Sequence, residues 1–135
     1  LPAGDLNAVD CAGPSSCMAV GFGLAAQWNG RTWRARPIAG QVRFPGVLDV
    51  SCPTTARCMA VGWQFPQRRG PLVGVTERWN GRTWRQVTPA GRSSALSGVA
   101  CARPRRCIAV GQAGTLIRAE QWNGSRWRLL TATNP

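Results

Sequence analysis

Short apolar runs closed by turn residues set the rhythm of this chain. "CMAVG" occurs at 17–21 and 58–62 and "CIAVG" at 107–111, each ending in glycine. An apolar run this short, bounded by turn formers, predicts a strand buried on both faces. Each run is preceded by a segment leading to a cysteine ("LNAVDC", "VLDVSC", "LSGVAC"), in which Val9, Val50 and Val99 hold the same place. A third segment ends at a tryptophan ("LAAQW", "GVTERW", "IRAEQW"), and a fourth starts at another ("WRARPI", "WRQVTP", "WRLLTA"). No apolar pattern at helical spacing survives more than about two turns between the Gly and Pro residues. The chain 1–135 therefore reads as a single repeat domain of three units, approximately 6–46, 47–95 and 96–135, each of four strands.

Four-stranded antiparallel meanders of this length in tandem are the pattern of propeller blades. The expected fold is all-β and β-propeller-like, with a β-trefoil as the alternative, since a trefoil also has threefold internal symmetry at this length. Asn-Gly at 29–30, 80–81 and 123–124 is a strong hairpin signal, because a type I′ turn needs positive φ at both central residues. With a two-residue turn Trp28 pairs with Arg31 and sits diagonally from Trp33; a four-residue loop sets the two tryptophans directly opposite. In both cases they share a face. Six tryptophans recurring at fixed positions (28 and 33, 79 and 84, 122 and 127) are expected in the core or at blade interfaces. Three blades are fewer than the four a propeller ring typically needs. The expected remedy is a homo-oligomer, completion by a partner chain, or a longer chain of which this is a fragment.

The cysteines form three pairs, Cys11 with Cys17, Cys52 with Cys58 and Cys101 with Cys107, each enclosing five residues. With no His and no C-x-x-C, they fit disulfides rather than zinc. Each pair staples the hairpin between the first two strands of its unit. The compartment implied is oxidising, so a secreted, extracellular protein is expected, with Leu1 following a removed leader. No apolar run of membrane-spanning length occurs, and no membrane insertion is expected.

Charge is lopsided: 17 basic residues, all Arg, face five acids for a formal net charge of +12. Such a surface attracts anionic partners, although abundant Arg, Ala and Gly with no Lys, His or Tyr is also what a GC-rich genome encodes. Catalysis is hard to build without His, Lys or Tyr, and Asp5, Asp10, Asp49, Glu77 and Glu120 are scattered. Glu77 and Glu120 each precede a tryptophan by two residues, which suggests a shared structural position, paired with a cross-strand Arg. "GFG" at 21–23 lacks the rest of a phosphate loop and reads as a strand end. No cofactor or metal is expected.

Binding is the better prospect. In an up-and-down unit the Cys-bounded loops and the Asn-Gly turns fall at one end. That end gathers Arg57, Arg103, Arg105 and Arg106 with Arg31, Arg82 and Arg126 into a basic rim. At the other end the second unit expands to "WQFPQRRGPLVGV", bringing Trp63, Phe65, Arg68 and Arg69 to a long loop of the kind that carries binding hot spots. Trp63 is the only tryptophan outside the repeat. The reading is a secreted non-catalytic binding module recognising a cell-surface glycan or protein, or a targeting subunit of a secreted assembly. Its rivals are a structural, oligomerising element and an electrostatic binder of nucleic acid or acidic envelope polymer, nucleic acid being the weaker candidate.

"CMAVG…ERWNGRTWRQVTP" is similar in layout to a kelch repeat, but a single Gly follows "AV", and "WNG" stands where kelch repeats carry an aromatic-Asp-Pro turn. The units more closely resemble secreted repeat proteins of high-GC Gram-positive bacteria of the form S-C-x5-C-x-A-V-G…W-N-G-x-x-W. That resemblance covers nearly the whole chain and implies a propeller-like fold. It implies no common activity.

Overall fold

Each repeat forms one antiparallel sheet in which the strands follow in chain order, so the three sheets are separate four-stranded meanders. Blade 1 comprises β1 (Leu6–Gly13), β2 (Ser16–Gly21), β3 (Ala25–Trp28) and β4 (Trp33–Ala35). Blade 2 comprises β5 (Pro45–Thr54), β6 (Arg57–Gln64), β7 (Val73–Trp79) and β8 (Trp84–Val87). Blade 3 comprises β9 (Ala95–Arg103), β10 (Arg106–Ala113), β11 (Leu116–Trp122) and β12 (Trp127–Leu130). The computed structural model describes residues 4–130; the expected leader before Leu1 and the third unit beyond residue 130 lie outside the described residues.

All three cysteine pairs are disulfide-bonded across the first hairpin of their blades: Cys11 to Cys17, Cys52 to Cys58 and Cys101 to Cys107. Closing so short a loop removes about 2 kcal/mol of unfolded-state freedom per bridge. The three bridges differ in cover. Cys17 is half-buried, whereas Cys58 and Cys107 at the same position are buried, because among the described residues no blade precedes blade 1. The glycine after "AV" has a steric cause. A Cβ on Gly21, Gly62 or Gly111 would collide with the backbone of Asp5, Gly46 or Ala95, where the first strand of the blade bulges against the second.

The Asn-Gly turns differ from the type I′ expectation. Trp28 pairs with Trp33, Trp79 with Trp84 and Trp122 with Trp127, so the tryptophans stand opposite each other across a four-residue loop. Among the described residues no non-glycine has positive φ; in these turns only Gly30, Gly81 and Gly124 do. The asparagine instead turns the chain with its side chain. Asn29 Oδ1 accepts from Arg31 N at 2.8 Å and Thr32 N at 2.9 Å, and Asn80 and Asn123 do the same.

Successive blades stack face to face, with β1, β5 and β9 side by side. One face of each blade offers the Met or Ile and the Val of its second strand; the other offers the tryptophan pair, the disulfide and the Ala between them. Met18 and Val20 of blade 1 pack with Cys52, Cys58, Trp79 and Trp84 of blade 2, and Ile38 and Val42 of the linker join them. Met59 and Val61 of blade 2 pack with Cys107, Trp122 and Trp127 of blade 3. An arginine of the earlier blade lies over the first tryptophan of the next, Arg36 at 5.7 Å from Trp79 and Arg78 at 4.9 Å from Trp122. The tryptophans are thus interface residues where a blade precedes them. On blade 1, where none of the described residues covers that face, Trp33 is 40% exposed against 4% for Trp84. Separate sheets stacked in this way are blades and not the shared barrel of a trefoil.

Candidate functional site

The four interior carboxylates explain what most of the acids do. Asp10 Oδ2 accepts from Cys52 N at 2.6 Å and Asp49 Oδ2 from Val99 N at 2.8 Å, each joining a first strand to that of the next blade. Ser51 Oγ, at the position of Asp10, accepts from Cys101 N at 2.9 Å. Glu77 and Glu120 are fully buried and reach back to the preceding linker: Glu77 Oε1 to Ala39 N, and Glu120 Oε1 and Oε2 to Ala90 N and Gly91 N. Their expected Arg partners are replaced by backbone amides, because the linker crosses above them. Burial pushes the Glu77 carboxyl up to about 7, only partly offset by the Ala39 amide and the Gln86 side chain. Its Oε2 has no partner at hydrogen-bonding geometry among the described residues. Four of five acids are thereby engaged in joining blades, which leaves the surface strongly cationic.

At the end away from the disulfides, the chain's three phenylalanines meet on one cleft of about 830 Å³ between blades 1 and 2. Phe22 follows β2, Phe44 ends the linker before β5, and Phe65 follows β6. They are 45%, 71% and 44% exposed, unusual for side chains whose transfer from water is favourable. Phe22 and Phe44 stand edge to face at 6.2 Å, and Phe65 N donates to Phe44 O at 3.4 Å. Gly46, at φ 91°, lets this chain pass against Phe22: a Cβ there would lie 3.0 Å from the Phe22 Cα. Arg43, Arg68, Gln41 and Gln67 complete the walls, and none of the described lining residues is a carboxylate.

Of the residues expected at this end, Phe65 and Arg68 line the cleft. Trp63 lies to its side: it packs edge to face on Phe65 at 5.4 Å and lines a separate cleft of about 400 Å³ with Ala95, Ser97 and Val110 of blade 3. Arg69 is exposed and lines neither cleft. Phe22, Phe44 and Arg43 do not stand out in the sequence. One signal is present: the position after "AVG" is Phe22, Trp63 and Gln112 in the three units, aromatic twice.

At the disulfide end the loops and turns do come together. Arg57 donates to Asn80 O at 2.7 Å and to Ala56 O at 3.1 Å, tying the Cys-bounded loop of blade 2 to its turn. Arg105 lies against Gly124 of the blade 3 turn. Arg31, Arg82, Arg103, Arg106 and Arg126 are exposed around them. Among the described residues no group of three His, Cys, Asp or Glu could hold a metal ion, and no helix is long and apolar enough to cross a membrane.

Among the solved structures that match this chain are two that show the same architecture. YCF48 from Cyanidioschyzon merolae matches with a TM-score of 0.63 at 15% identity, over 92% of this chain and 39% of that one. The GH74 xyloglucanase from Xanthomonas campestris matches with a TM-score of 0.60 at 17% identity, over 92% of this chain and 21% of that one. This chain thus spans about two fifths and one fifth of their lengths. No protein-family model matches the sequence, and neither does any curated protein. At these identities the likeness speaks to fold alone. With the stacked four-stranded sheets, it makes the chain a β-propeller-like repeat protein.

Proposed function

We propose that this chain is a secreted, non-catalytic binding module that takes an acidic cell-surface glycan in the cleft of Phe22, Phe44 and Phe65. The observation that carries the reading is the convergence of all three phenylalanines, exposed, beside Arg43 and Arg68. Aromatic faces accept the C–H faces of sugar rings, and guanidinium forks accept carboxylates in bidentate fashion. The disulfides support export to an oxidising compartment. Engagement of Asp10, Asp49, Glu77 and Glu120 with backbone amides at the joints supports binding over catalysis, since none of the four lines the cleft.

The test is glycan-array binding followed by titration calorimetry with an acidic oligosaccharide. Phe44→Ala is expected to weaken binding at least about tenfold, the loss of roughly one stacking contact, and Trp63→Ala to leave it within about twofold. Loss on Trp63→Ala with none on Phe44→Ala would move the site to the neighbouring cleft.

A second reading, as a module that makes blade-to-blade contacts with another polypeptide, has its own support. Val9 and Trp33 on blade 1 are 59% and 40% exposed, and Ile108 and Val110 on blade 3 are 39% and 47% exposed, whereas Val50, Trp84, Met59 and Val61 at the same positions are buried. Those faces suit a further blade from a second copy or a partner chain. Light scattering of the 135-residue chain, with and without Val110→Asp, tests it. A mass above one chain that falls on substitution supports contact through this face, and a single-chain mass for both excludes self-association.

A further inference from the structure

Two equivalent crevices open at the disulfide end, one at each joint between blades, and their walls differ in one respect. Disulfide cysteines line both, Cys17, Cys52 and Cys58 in the first and Cys58, Cys101 and Cys107 in the second. The crevice between blades 1 and 2 has Ser16 and Gln27 on its blade 1 side and Thr54 and Thr55 on the other, and Ala56 follows Thr55 in the same loop. In the crevice between blades 2 and 3, Arg57 and Arg78 take the places of Ser16 and Gln27, and in the loop beside it, next to the lining residue Pro104, Arg105 stands at the position of Ala56. The register fixes the correspondence: Gln27 pairs with Met18 as Arg78 pairs with Met59. The fold therefore builds the same crevice with neutral side chains, and three arginines at one joint are not a requirement of packing.

The three are held in place. Arg78 lies over the Trp122 ring, Arg57 is tied to Asn80 O, and Arg105 lies against Gly124, where a Cβ would strike its Nε. None of the described residues lining the crevice is a carboxylate. Burial, and after it the charges of Arg57 and Arg105, hold the Arg78 guanidinium below its usual value. Like charges gathered without a counter-charge cost stability, and an anion between them reverses that cost. The enclosed space is only about 10 Å³, so the ligand sits at the mouth and not within.

We infer that the mouth of the crevice between blades 2 and 3 is a binding site for a tetrahedral oxyanion, phosphate or sulfate, held by Arg57 and Arg78, with the charge of Arg105 in the adjoining loop beside them. The inference is independent of the aromatic cleft, which lies at the opposite end. The first crevice supplies variants the fold already tolerates. Sodium sulfate and inorganic phosphate are titrated calorimetrically and by thermal unfolding, against sodium chloride at equal ionic strength. One site per chain is expected, with a saturable rise in Tm absent in chloride. Arg78→Gln and Arg57→Ser should each weaken sulfate binding about tenfold, while Arg31→Ser, in the turn of blade 1, should leave it unchanged. Placing arginine at Ser16, Gln27 and Ala56 should create a second site and double the stoichiometry. A sulfated oligosaccharide separates the two sources of the anion. Tighter binding than free sulfate, lost in Arg78→Gln, assigns the oxyanion to a polymer, and equal binding assigns it to the free ion. An equal Tm rise in chloride, or sulfate binding unchanged in the Arg57→Ser, Arg78→Gln, Arg105→Ala triple variant, overturns the site.

Discussion

At the joint between blades 1 and 2, Glu77 reaches one linker amide, Ala39 N; at the joint between blades 2 and 3, Glu120 reaches two, Ala90 N and Gly91 N. The linkers are the same in outline, Ala39-Gly40 corresponding to Ala90-Gly91, but Gly40 adopts φ 68° and gives its N–H to neither oxygen of Glu77. Each joint also has two side-chain pins between first strands, from Asn7, which donates to Val47 O at 2.8 Å, and Asp10 at the first, and from Asp49 and Ser51 at the second. The joint with the single linker hydrogen bond is the one whose linker carries Arg43 and Phe44 to the aromatic cleft. The doubled linker latch and the aromatic cleft thus fall at different joints that share one apolar packing scheme.

The largest effect should come from that shared packing, and it sets the baseline for everything polar. Trp122→Ala and Trp79→Ala are each expected to cost about 4 kcal/mol, the usual range for emptying a large buried aromatic site. Trp28→Ala, half-buried with no blade among the described residues over it, should cost about 1 kcal/mol. Urea unfolding of the three variants measures this. Equal losses at Trp28 and Trp122 would mean that the open face of blade 1 is covered in solution.

Removing the glutamates sharpens the comparison. Glu120→Ala strands two amides that had a charged acceptor and is expected to cost about 3 kcal/mol. Glu77→Ala strands one amide but also removes a buried oxygen without a partner, so its cost should be about 1 kcal/mol. The difference in urea midpoint between the two variants is the quantity to read. No difference would show that the second hydrogen bond of Glu120 contributes nothing.

A third effect separates the joints by pH. The Glu77 carboxyl keeps its proton up to about 7 in the folded chain and only to about 4.5 in the unfolded one. Between those values the folded state binds more protons, so stability falls as pH rises from about 4.5 through 7 and is flat above. The size is roughly 1–3 kcal/mol. Because the chain has no histidine, no other side chain ordinarily titrates across pH 5–8. Glu77→Gln should flatten the profile and leave the variant the more stable protein at pH 8. A wild-type stability constant from pH 5 to 8 would show that Glu77 is ionised throughout.

How far the two joints can be anticipated from the sequence depends on whether their parts repeat. Strands, disulfides and tryptophan faces recur in all three units, and recurrence with a period of two along each strand determines which side chains share a face. Glu77 and Glu120 are visible as one position, but their partners are not, because those partners are amides of the preceding linker and an amide leaves no mark in sequence. The turn departs from expectation for a local reason. Asn-Gly suits a type I′ turn, but here Asn29 Oδ1 accepts from the amides of Arg31 and Thr32 and holds a four-residue loop between the paired tryptophans. Phe22 holds a position that is aromatic in only two units and Phe44 lies in the linker before β5, and their meeting follows from how blade 2 stacks on blade 1.

The smallest effect tests whether charge or position makes a first-strand pin. Asp10 and Ser51 occupy one register and accept from equivalent amides, Cys52 N and Cys101 N, with a carboxylate at 2.6 Å and a hydroxyl at 2.9 Å. A charged acceptor forms the shorter and stronger bond, but it brings a desolvation cost that a hydroxyl does not. Both residues are half-buried, where that cost is moderate. The exchange Asp10→Ser is therefore expected to lose about 1 kcal/mol and Ser51→Asp to gain no more than about half as much, because Asp49 already places a negative charge on the same strand. If both exchanges destabilise by equal amounts in urea unfolding, each pin is fitted to its own joint and the two are not variants of one latch.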